Sequence, residues 1–492
     1  MSRLVSLSRA AKLVGISRGA LQKRIHDNEL ISFEGQVNLD DIERIFPDAQ
    51  IEDNHIIEDL EKIVEQALTK ARGAKLAKLL APDTYTLAAR LQSINLEHAQ
   101  SRKLSSDLLN LIAEIKSRIT ELSATSNKPH LFSELVSWID DSVMNFQLDK
   151  TLPSSISEKD TVLRVIASQV HLKNTGHEYF IEGNNTILEA GLSAGLALNY
   201  GCSNGNCGKC KARLISGKIQ KTRPHDFVFT ESEKLQNYFL CCSNTAITDV
   251  VIEADEADSE KDIPQQEIDA KVKKVDVLSN GVSILNLKTP RTKRLRFLAG
   301  QSVLLSYANL PAVNIPIASC PCDDMNIQFH IPQQENNELV KYIHQELKTS
   351  DVIHIDGPYG SFILDEDSDR SILFIAFDTG FAPVKSLIEH AITLEHAEFI
   401  HLSWLHSDSK PYMHNQCRAW EDALDNFNYQ HTQIDMDESE KLAEQLQILA
   451  KNYSELNQKN IYICGPEYMV NKTREILLDH GAEEDHIKIQ AV

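Results

Sequence analysis

Three cysteines in one short loop constrain the fold of this chain more than any other feature. Cys202, Cys207 and Cys210 lie in the run Tyr200-Gly-Cys-Ser-Asn-Gly-Asn-Cys-Gly-Lys-Cys210, with glycines at 201, 205 and 208 that let the backbone turn tightly. Thiolates that converge in such a loop are ligands for iron or zinc. Five of the nine cysteines fall between residues 202 and 242, and this odd, clustered set favours a metal site over disulfides.

The C-x4-C-x2-C spacing resembles that of plant-type ferredoxins, which hold a [2Fe–2S] cluster in a β-grasp fold. Thr186–Gly195 resembles the helix before the ferredoxin cluster loop, and Leu214–Lys218 resembles the strand and turn after it. In that family an Asp follows the fourth ligand by seven residues, and Asp249 has this offset from Cys242. The resemblance therefore implies Cys242 as the fourth ligand and Cys241 as a buried neighbour. Zinc, the alternative, usually uses paired C-x2-C knuckles.

Length and charge bound the class of protein. At roughly 100–200 residues per domain, a chain of 492 residues predicts about three or four domains. The net charge of −21 predicts repulsion from nucleic acid and from anionic membrane surfaces. No apolar run reaches the ~18 residues of a membrane span, and the first residues lack the apolar core of a signal peptide. We therefore expect a cytoplasmic protein.

The first 30 residues depart from this acidic balance, with six Lys and Arg against two acidic residues. A helix at Ser8–Val14, a turn at Gly15, a second helix at Arg18–Asn28, a wing-like turn at 32–37 and a helix at Leu39–Phe46 are predicted. Residues 1–50 thus resemble the winged helix-turn-helix of the MerR and excisionase type. The resemblance implies DNA binding, whereas a protein-docking adaptor is the alternative. The second helix would present to DNA the side chains of Arg18, Gln22, Lys23 and Arg24.

Residues 51–150 are predicted to be helical. Apolar residues recur with alternating spacings of four and three from Leu87 to Leu122, a pattern typical of a coiled coil. His98, Ser101 and Ser105 weaken the middle of this seam. We expect a homodimer, with a helical hairpin against residues 55–80 as the alternative. The full seam is Leu87, Leu91, Ile94, His98, Ser101, Ser105, Leu108, Ile112, Ile115, Ile119 and Leu122.

Three further units complete a multidomain α+β chain. The cluster unit spans 160–256, and the acidic run Glu253–Glu260, which overlaps its end, is predicted to be a linker. Short alternating apolar segments predict an antiparallel β-barrel over 265–366. Strand-like runs that alternate with helical patterns predict a parallel α/β domain over 368–492.

From about residue 160 to its end the chain resembles the ferredoxin-plus-reductase proteins of bacterial oxygenase systems and the related glucoseen reductases. The resemblance is carried by Phe297–Gln301, Gly357–Phe362, Thr379–Pro383, and Tyr462–Pro466 with Met469. It implies FAD in the barrel and NAD(P)H in the α/β domain, with a partner protein or terminal oxygenase as electron acceptor. A flavin converts the two-electron chemistry of NAD(P)H into the single-electron steps of a cluster.

The same resemblance implies site residues. Cys464 would lie beside the nicotinamide ring as the catalytic cysteine, and the strand end at Trp404 to Ser407 would meet the cofactor's ribose. The positions implied to contact the flavin or the nicotinamide cofactor are Ile317, Ala318, Ser319, Thr379, Gly380, Gly465 and Pro466.

Several ligand-contacting positions depart from the family pattern. The Arg-x-Tyr-Ser of the flavin strand is replaced by Val313-Asn-Ile-Pro316, and Val340 stands near the usual pyrophosphate-binding hydroxyl. The Gly-Gly-Thr-Gly of the nicotinamide loop reads Phe377-Asp-Thr-Gly380, and Val492 replaces a terminal aromatic residue. These changes predict altered binding of both ligands. They leave open a redox-responsive DNA-binding regulator, or a scaffold that docks the electron-transfer units onto a partner.

Cys320 and Cys322 form a C-x-C pair directly after Ser319, and Cys417 has no evident partner. The pair is compatible with a metal site, a redox pair or two buried structural cysteines.

Overall fold

The computed structural model describes residues 4–46, 82–148 and 155–492, with short gaps at 17, 27–28, 34–35, 126–128, 258, 279–280, 291, 334–336, 367, 369, 395–396, 435–438 and 454. The predicted helical residues 51–81, and with them the proposed partner segment 55–80, lie outside the described residues. None of the described helices is long and apolar enough to cross a membrane.

The first unit packs three short helices on a small antiparallel sheet of order β1-β3-β2. The first helix begins at Leu7, one residue before the predicted start, because the Ser6 side chain caps it by accepting the N–H of Arg9 at 3.4 Å. Gly15 ends this helix with a φ of 75°. The elements are β1 (Leu4–Ser6), α1 (Leu7–Val14), α2 (Arg18–His26), β2 (Ser32–Phe33), β3 (Gln36–Asn38) and α3 (Leu39–Ile45).

A long helical hairpin follows, made of α4 (Thr84–Thr125) and α5 (Pro129–Leu148), before α6 (Ser155–Ile166) leads into the next unit. Lys116 of α4 forms an ion pair with Asp140 of α5. Near its start α4 inserts the fully buried Arg90, which donates to the carbonyls of Val165 at 3.3 Å and Ala246 at 3.2 Å. Farther along, the predicted seam is largely exposed, so α5 does not cover it.

The ferredoxin-type unit is a five-stranded sheet of order β5-β4-β10-β6-β8, in which only β10 and β4 run parallel. Its helix α7 covers the sheet and begins at a capping box formed by Thr186 and Glu189. The elements are β4 (Ala167–Leu172), β5 (Glu178–Glu182), α7 (Ile187–Ser193), β6 (Lys211–Ser216), β7 (Ile219–Lys221), α8 (Glu231–Leu235), β8 (Tyr238–Leu240), β9 (Asn244–Ala246) and β10 (Val250–Ala254).

The acidic run that was predicted as a linker starts inside β10, so this prediction was wrong for its first part. Glu253 pairs with Lys173 at 2.8 Å and with Arg213 at 2.5 Å, and Glu256 bonds His177 at 2.9 Å. Opposite charges on neighbouring strands hold these carboxylates in the sheet.

The predicted antiparallel barrel is confirmed as a nearly closed six-stranded sheet of order β14-β13-β16-β11-β12-β15. A bridge between Ile317 and Phe329 brings its two edges together. The elements are β11 (Gln266–Val277), β12 (Val282–Lys288), β13 (Ser302–Ser306), β14 (Val313–Pro316), β15 (Asn326–Pro332), α9 (Glu338–Gln345) and β16 (Val352–Tyr359).

The last unit is a parallel sheet of order β19-β18-β17-β20-β21 with helices between its strands. The carboxyl ends of β17 and β20 lie side by side, where such sheets bind ligands. The elements are β17 (Ser371–Phe377), α10 (Phe381–Leu394), β18 (Ile400–His406), α11 (His414–Ala423), β19 (Phe427–Gln433), α12 (Ser439–Asn452), β20 (Lys459–Gly465), α13 (Glu467–Asp479) and β21 (Ile487–Ala491).

Candidate functional site

The thiol-bearing loop depends on its glycines. Gly205 and Gly208 have φ angles of +86° and +74°, which side-chain-bearing residues rarely adopt. A Cβ on Gly208 would lie 2.2 Å from the Phe227 ring, and one on Gly205 would lie 2.4 Å from the Cβ of His225. The segment that contains His225 and Phe227 therefore packs directly on the loop backbone.

Cys202 and Cys207 form an outer pair of thiols surrounded by backbone donors. The N–H groups of Asn206 and Cys207 donate to the Cys202 Sγ at 3.3 Å each, and the N–H of Cys202 donates to the Cys207 Sγ at 3.4 Å. Burial alone would raise the pKa of Cys202, but hydrogen bonds from Asn204, Cys207 and Asn206 lower it. The loop thus favours negative charge on this sulfur.

Cys210 and Cys242 form an inner pair of buried thiols. The hydrogen bond from the Cys210 thiol lowers the pKa of Cys242 to about 6, and the same bond raises the pKa of Cys210. The backbone of Gly205 also donates to Cys242. Burial, by contrast, raises the pKa of Cys241. Of the two adjacent cysteines, Cys242 is therefore the one joined to the loop.

The four thiols thus lie as two pairs, and a [2Fe–2S] cluster uses two protein ligands on each iron. The donor chemistry of the two pairs fits a two-iron cluster.

Tyr200, two residues before Cys202, ties the loop to the barrel. Its hydroxyl donates to Asp324 Oδ2 at 2.8 Å, and Arg294 donates to Asp324 Oδ1 at 2.6 Å. Tyr200 is 4% exposed and Asp324 is 5% exposed. Burial raises the pKa of Asp324, and the Arg294 charge opposes that shift. Sequence reasoning missed this contact because its partners are separated by 124 positions.

The implied flavin-edge residues lie where the barrel closes. Ile317 and Ala318 are buried, and their backbone N–H groups bond the carbonyls of Gln301 at 2.9 Å and Gln328 at 2.8 Å. The Ser319 hydroxyl accepts the N–H of Gln328 at 3.1 Å. This segment is therefore held firmly by the barrel itself.

The flavin-contacting positions that depart from the family pattern carry little polarity. Ile315 is buried in the barrel core, and Val313 packs against it from β14. The start of α9 is capped by Asn337, whose Oδ1 accepts the N–H of Val340 at 3.0 Å. These positions supply neither a cationic nor an aromatic side chain to a ligand.

The nicotinamide-loop residues meet at the ends of β17 and β20. A Cβ on Gly380 would lie 2.4 Å from the Cys464 carbonyl, and one on Gly465 would lie 2.5 Å from the Cβ of Phe377. Cys464 is fully buried, and burial raises its pKa. Thr379 and Pro466 flank this close contact.

Asp378 has a bond that the sequence did not predict. Its carboxylate accepts the N–H of Ser407 at 2.9 Å and the Ser407 hydroxyl at 3.1 Å, and its φ is 43°. Its carbonyl accepts the indole N–H of Trp404 at 3.1 Å. Hydrogen bonds thus join the loop predicted to bind the diphosphate to the strand end predicted to meet the ribose. They direct the Asp378 carboxylate toward Ser407.

The residues predicted to contact DNA face protein groups. Lys23 pairs with Glu398 of the α/β domain at 3.2 Å, and Arg24 pairs with Glu29 at 3.2 Å. Arg18 and Gln22 are half-buried. DNA binding by these four residues stays a prediction.

Arg9, which sequence reasoning gave no role, links the first unit to the ferredoxin unit. It is 7% exposed and forms ion pairs with Asp160 and Asp249. Asp249 also accepts the N–H of Gln169 at 3.0 Å. The sequence does show Arg9 as a single cation on the apolar face of α1. That pattern does not reveal which distant carboxylates Arg9 pairs with.

Fold and thiol loop together define an iron–sulfur protein with a nicotinamide-type domain. Residues 170–246 match the 2Fe-2S iron-sulfur cluster binding domain, and residues 374–475 match the oxidoreductase NAD-binding domain. Over these two stretches the chain is similar to iron–sulfur ferredoxin domains and to nicotinamide-binding oxidoreductase domains.

Several known proteins are similar to large parts of this chain. The CDP-6-deoxy-L-threo-D-glycero-4-hexulose-3-dehydrase reductase of Yersinia pestis is 28% identical over 64% of this chain and 95% of its own length. A terephthalate 1,2-dioxygenase reductase component of a Comamonas species is 25% identical over 64% of this chain and 94% of its own. The phenol hydroxylase P5 protein of Acinetobacter pittii is 30% identical over 45% of this chain and 63% of its own.

Proposed function

We propose that this protein is an electron-transfer reductase that carries electrons from NAD(P)H, through FAD, to a [2Fe–2S] cluster and on to a partner protein. The observation that carries this proposal is the buried Tyr200–Asp324 bond, which fixes the cluster loop on the barrel. Relatives named as reductase components of a dioxygenase and of a sugar dehydrase support the same reaction type. The acceptor would be a protein of that kind, such as a terminal oxygenase.

For the cluster, we propose that Cys202 with Cys207 binds one iron and Cys210 with Cys242 the other. The cluster would accept and release single electrons. The chain's contribution is the set of N–H groups around Cys202, which stabilises added negative charge. Because Cys207 is exposed, this edge of the loop is where an acceptor protein would approach.

For the other two groups, we propose binding along the closing segment of the barrel and along the nicotinamide loop. A flavin would accept a hydride and release single electrons. Ile317–Ser319 would line its edge by packing, since the N–H groups of Ile317 and Ala318 already bond the carbonyls of Gln301 and Gln328. Thr379, Gly380, Gly465 and Pro466 would admit NAD(P)H beside Cys464. With Val313 and Ile315 at the positions of the usual cation and aromatic ring, FAD would be held weakly.

The test is turnover with and without added flavin. We expect purified protein with an intact cluster to carry less than one FAD per chain, and added FAD to restore NADH-dependent reduction of cytochrome c. A visible spectrum taken after cluster removal measures the retained flavin near 450 nm. No NADH or NADPH oxidation at saturating FAD would rule the proposal out.

We further propose that the N-terminal third is a helix-turn-helix and coiled-coil module that docks and dimerises the reductase. Exposed Leu104, Leu108, Leu111 and Ile115 on α4 support a homodimer, because they leave a long apolar face uncovered. Sedimentation of the full chain tests this, with Leu108→Asp expected to yield monomers. Sedimentation of the wild-type chain as a monomer at micromolar concentration would refute it.

A further inference from the structure

Cys320 and Cys322 lie in a turn where the barrel, the ferredoxin unit and the α/β domain meet. The N–H of Cys322 donates a hydrogen bond to the Cys320 Sγ at 3.3 Å, and the Cys320 thiol in turn hydrogen-bonds to the Cys322 sulfur. Cys320 is 4% exposed, whereas Cys322 is only half-buried. Solvent therefore reaches the Cys322 thiol, whereas the Cys320 thiol is shielded from it.

His390 of α10 stands behind the buried thiol. Its Nδ1 lies 3.9 Å from the Cys320 Sγ, and its Nε2 lies 2.7 Å from Glu366 Oε1. When Nε2–H donates to the Glu366 carboxylate, Nδ1 is left as an acceptor facing the Cys320 thiol. This is the order of thiol, base and orienting carboxylate that nucleophilic cysteines use.

The turn is attached to the helix that follows the nicotinamide loop. The N–H of Cys320 donates to Glu389 at 3.3 Å, and Ser386 donates to the carbonyl of Ser319 at 2.7 Å. Lys385 donates to the carbonyl of Ala318 at 3.1 Å. These bonds attach residues 318–320 to α10. The bond from the Cys322 N–H to the Cys320 Sγ keeps the second thiol beside the first.

We propose that Cys320 and Cys322 form a peroxide-reactive dithiol, a modification site independent of the cluster and of the proposed reductase activity. The Cys322 thiolate attacks one oxygen of hydrogen peroxide, which breaks the O–O bond, forms a sulfenic acid and releases hydroxide. The Cys320 sulfur then attacks the Cys322 sulfur, and the S–OH oxygen leaves as water.

His390 takes the Cys320 proton in the second step and passes it to the departing hydroxide, which leaves as water. The two thiols together lose two electrons and two protons, and the peroxide is reduced to two molecules of water. The hydrogen bond from Cys320 favours the Cys322 thiolate and lowers the pKa of Cys322, although burial and the nearby Glu389 carboxylate oppose it.

The experiment treats the cluster-loaded protein with one to a few equivalents of hydrogen peroxide, then denatures it, alkylates it and measures peptide masses. We expect the peptide that holds both cysteines to lose both alkyl labels, to weigh about 2 Da less than the dithiol, and to regain the labels after dithiothreitol. Cys417→Ser, which removes a buried thiol elsewhere, is the matched control and should leave this unchanged.

Variants separate the two steps. Cys320→Ser should trap a sulfenic acid on Cys322 that dimedone labels, whereas Cys322→Ser should leave Cys320 fully alkylated. His390→Asn should slow disulfide formation by at least about tenfold while raising dimedone labelling of Cys322. Full alkylation of both cysteines in wild-type protein after peroxide would overturn the proposal, whatever the NADH oxidation assay shows.

Discussion

The adjacent residues Cys241 and Cys242 have different hydrogen-bond partners. We therefore expect the same alanine substitution to remove the cluster at one position and to leave it intact at the other. Cys242 is joined to Cys210 and to the backbone of Gly205, whereas Cys241 is enclosed in the core. We expect Cys242→Ala to abolish the visible cluster bands and to leave the chain without stoichiometric iron. Cys241→Ala, the matched control, should keep both. Iron content and the visible spectrum measure the outcome, and a cluster retained in Cys242→Ala would exclude it as a ligand.

The Tyr200 hydroxyl joins the cluster loop to the barrel through one hydrogen bond. Tyr200→Phe keeps the ring but leaves the buried Asp324 carboxylate one donor short, at a cost of about 1–3 kcal/mol. We expect normal cluster content, a lower melting temperature and slower reduction of the cluster by NADH, because the loop can move away from the barrel.

Stopped-flow absorbance separates the two effects of Tyr200→Phe. Flavin reduction should keep its wild-type rate while cluster reduction slows, a split that general destabilisation does not produce. Tyr238→Phe, on β8 of the same ferredoxin unit, is the control and should leave both rates unchanged. Equal slowing of both steps in Tyr200→Phe would argue against a role in coupling the two centres.

At the scale of elements, helix α7 carries a pH dependence. Burial would raise the pKa of Glu189, but its bonds to Arg223 and Thr186 lower it below the ordinary value of 4.5. A carboxylate with a lowered folded pKa stabilises the fold above the unfolded pKa, and this stabilisation is lost as pH falls through the folded value.

Glu189→Gln tests this dependence, because Gln can still close the capping box while the Arg223 charge pair is lost. We expect a loss of about 0.5–1 kcal/mol near pH 7 that shrinks as the pH falls below 4.5. Urea unfolding of variant and wild type, followed by cluster absorbance, gives the difference. Glu231→Gln on the exposed face of α8 should change little. A difference that stays constant into acid would contradict the assignment.

The elements were predictable where their signals are local. The thiol loop, the barrel strands and the parallel sheet follow from spacing, alternation and buried runs within short windows. The acidic run was misjudged because Glu253 finds Lys173 and Arg213 only after β10 pairs with its neighbours. Tyr200–Asp324 and Asp378–Ser407 escaped notice for the same reason: each joins residues that only the tertiary fold brings together.

At the scale of the whole molecule, Arg9 connects units that are far apart in the chain. Its two partners lie at the start of the ferredoxin unit, Asp160, and at the start of its last central strand, Asp249. Lys12 adds an ion pair with Glu182, and Lys23 adds one with Glu398. The first unit is therefore held on the electron-transfer part by several charged contacts, of which only Arg9 is buried.

Arg9→Ala should release the first unit, because Asp160 and Asp249 lose their buried cationic partner at a cost of about 1–3 kcal/mol, since both carboxylates are partly exposed. We expect faster hydrogen exchange across α1 and β4 and a larger radius of gyration by small-angle scattering. Arg44→Ala is the control, since Arg44 is 70% exposed and pairs with Asp41 three residues away in the same unit.

The same variant tests the DNA-binding prediction. In the docked arrangement Lys23 pairs with Glu398 of the α/β domain, whereas the Arg24–Glu29 pair lies within the first unit, so undocking would uncover the face that carries Lys23. If the first unit reads DNA, a gel shift should appear for Arg9→Ala and be absent or much weaker for the wild type. If Arg9→Ala undocks without any shift, the helix-turn-helix resemblance is one of shape, and the unit serves to dock protein. If hydrogen exchange and small-angle scattering were unchanged in Arg9→Ala, contacts other than those of Arg9 would hold the first unit in place.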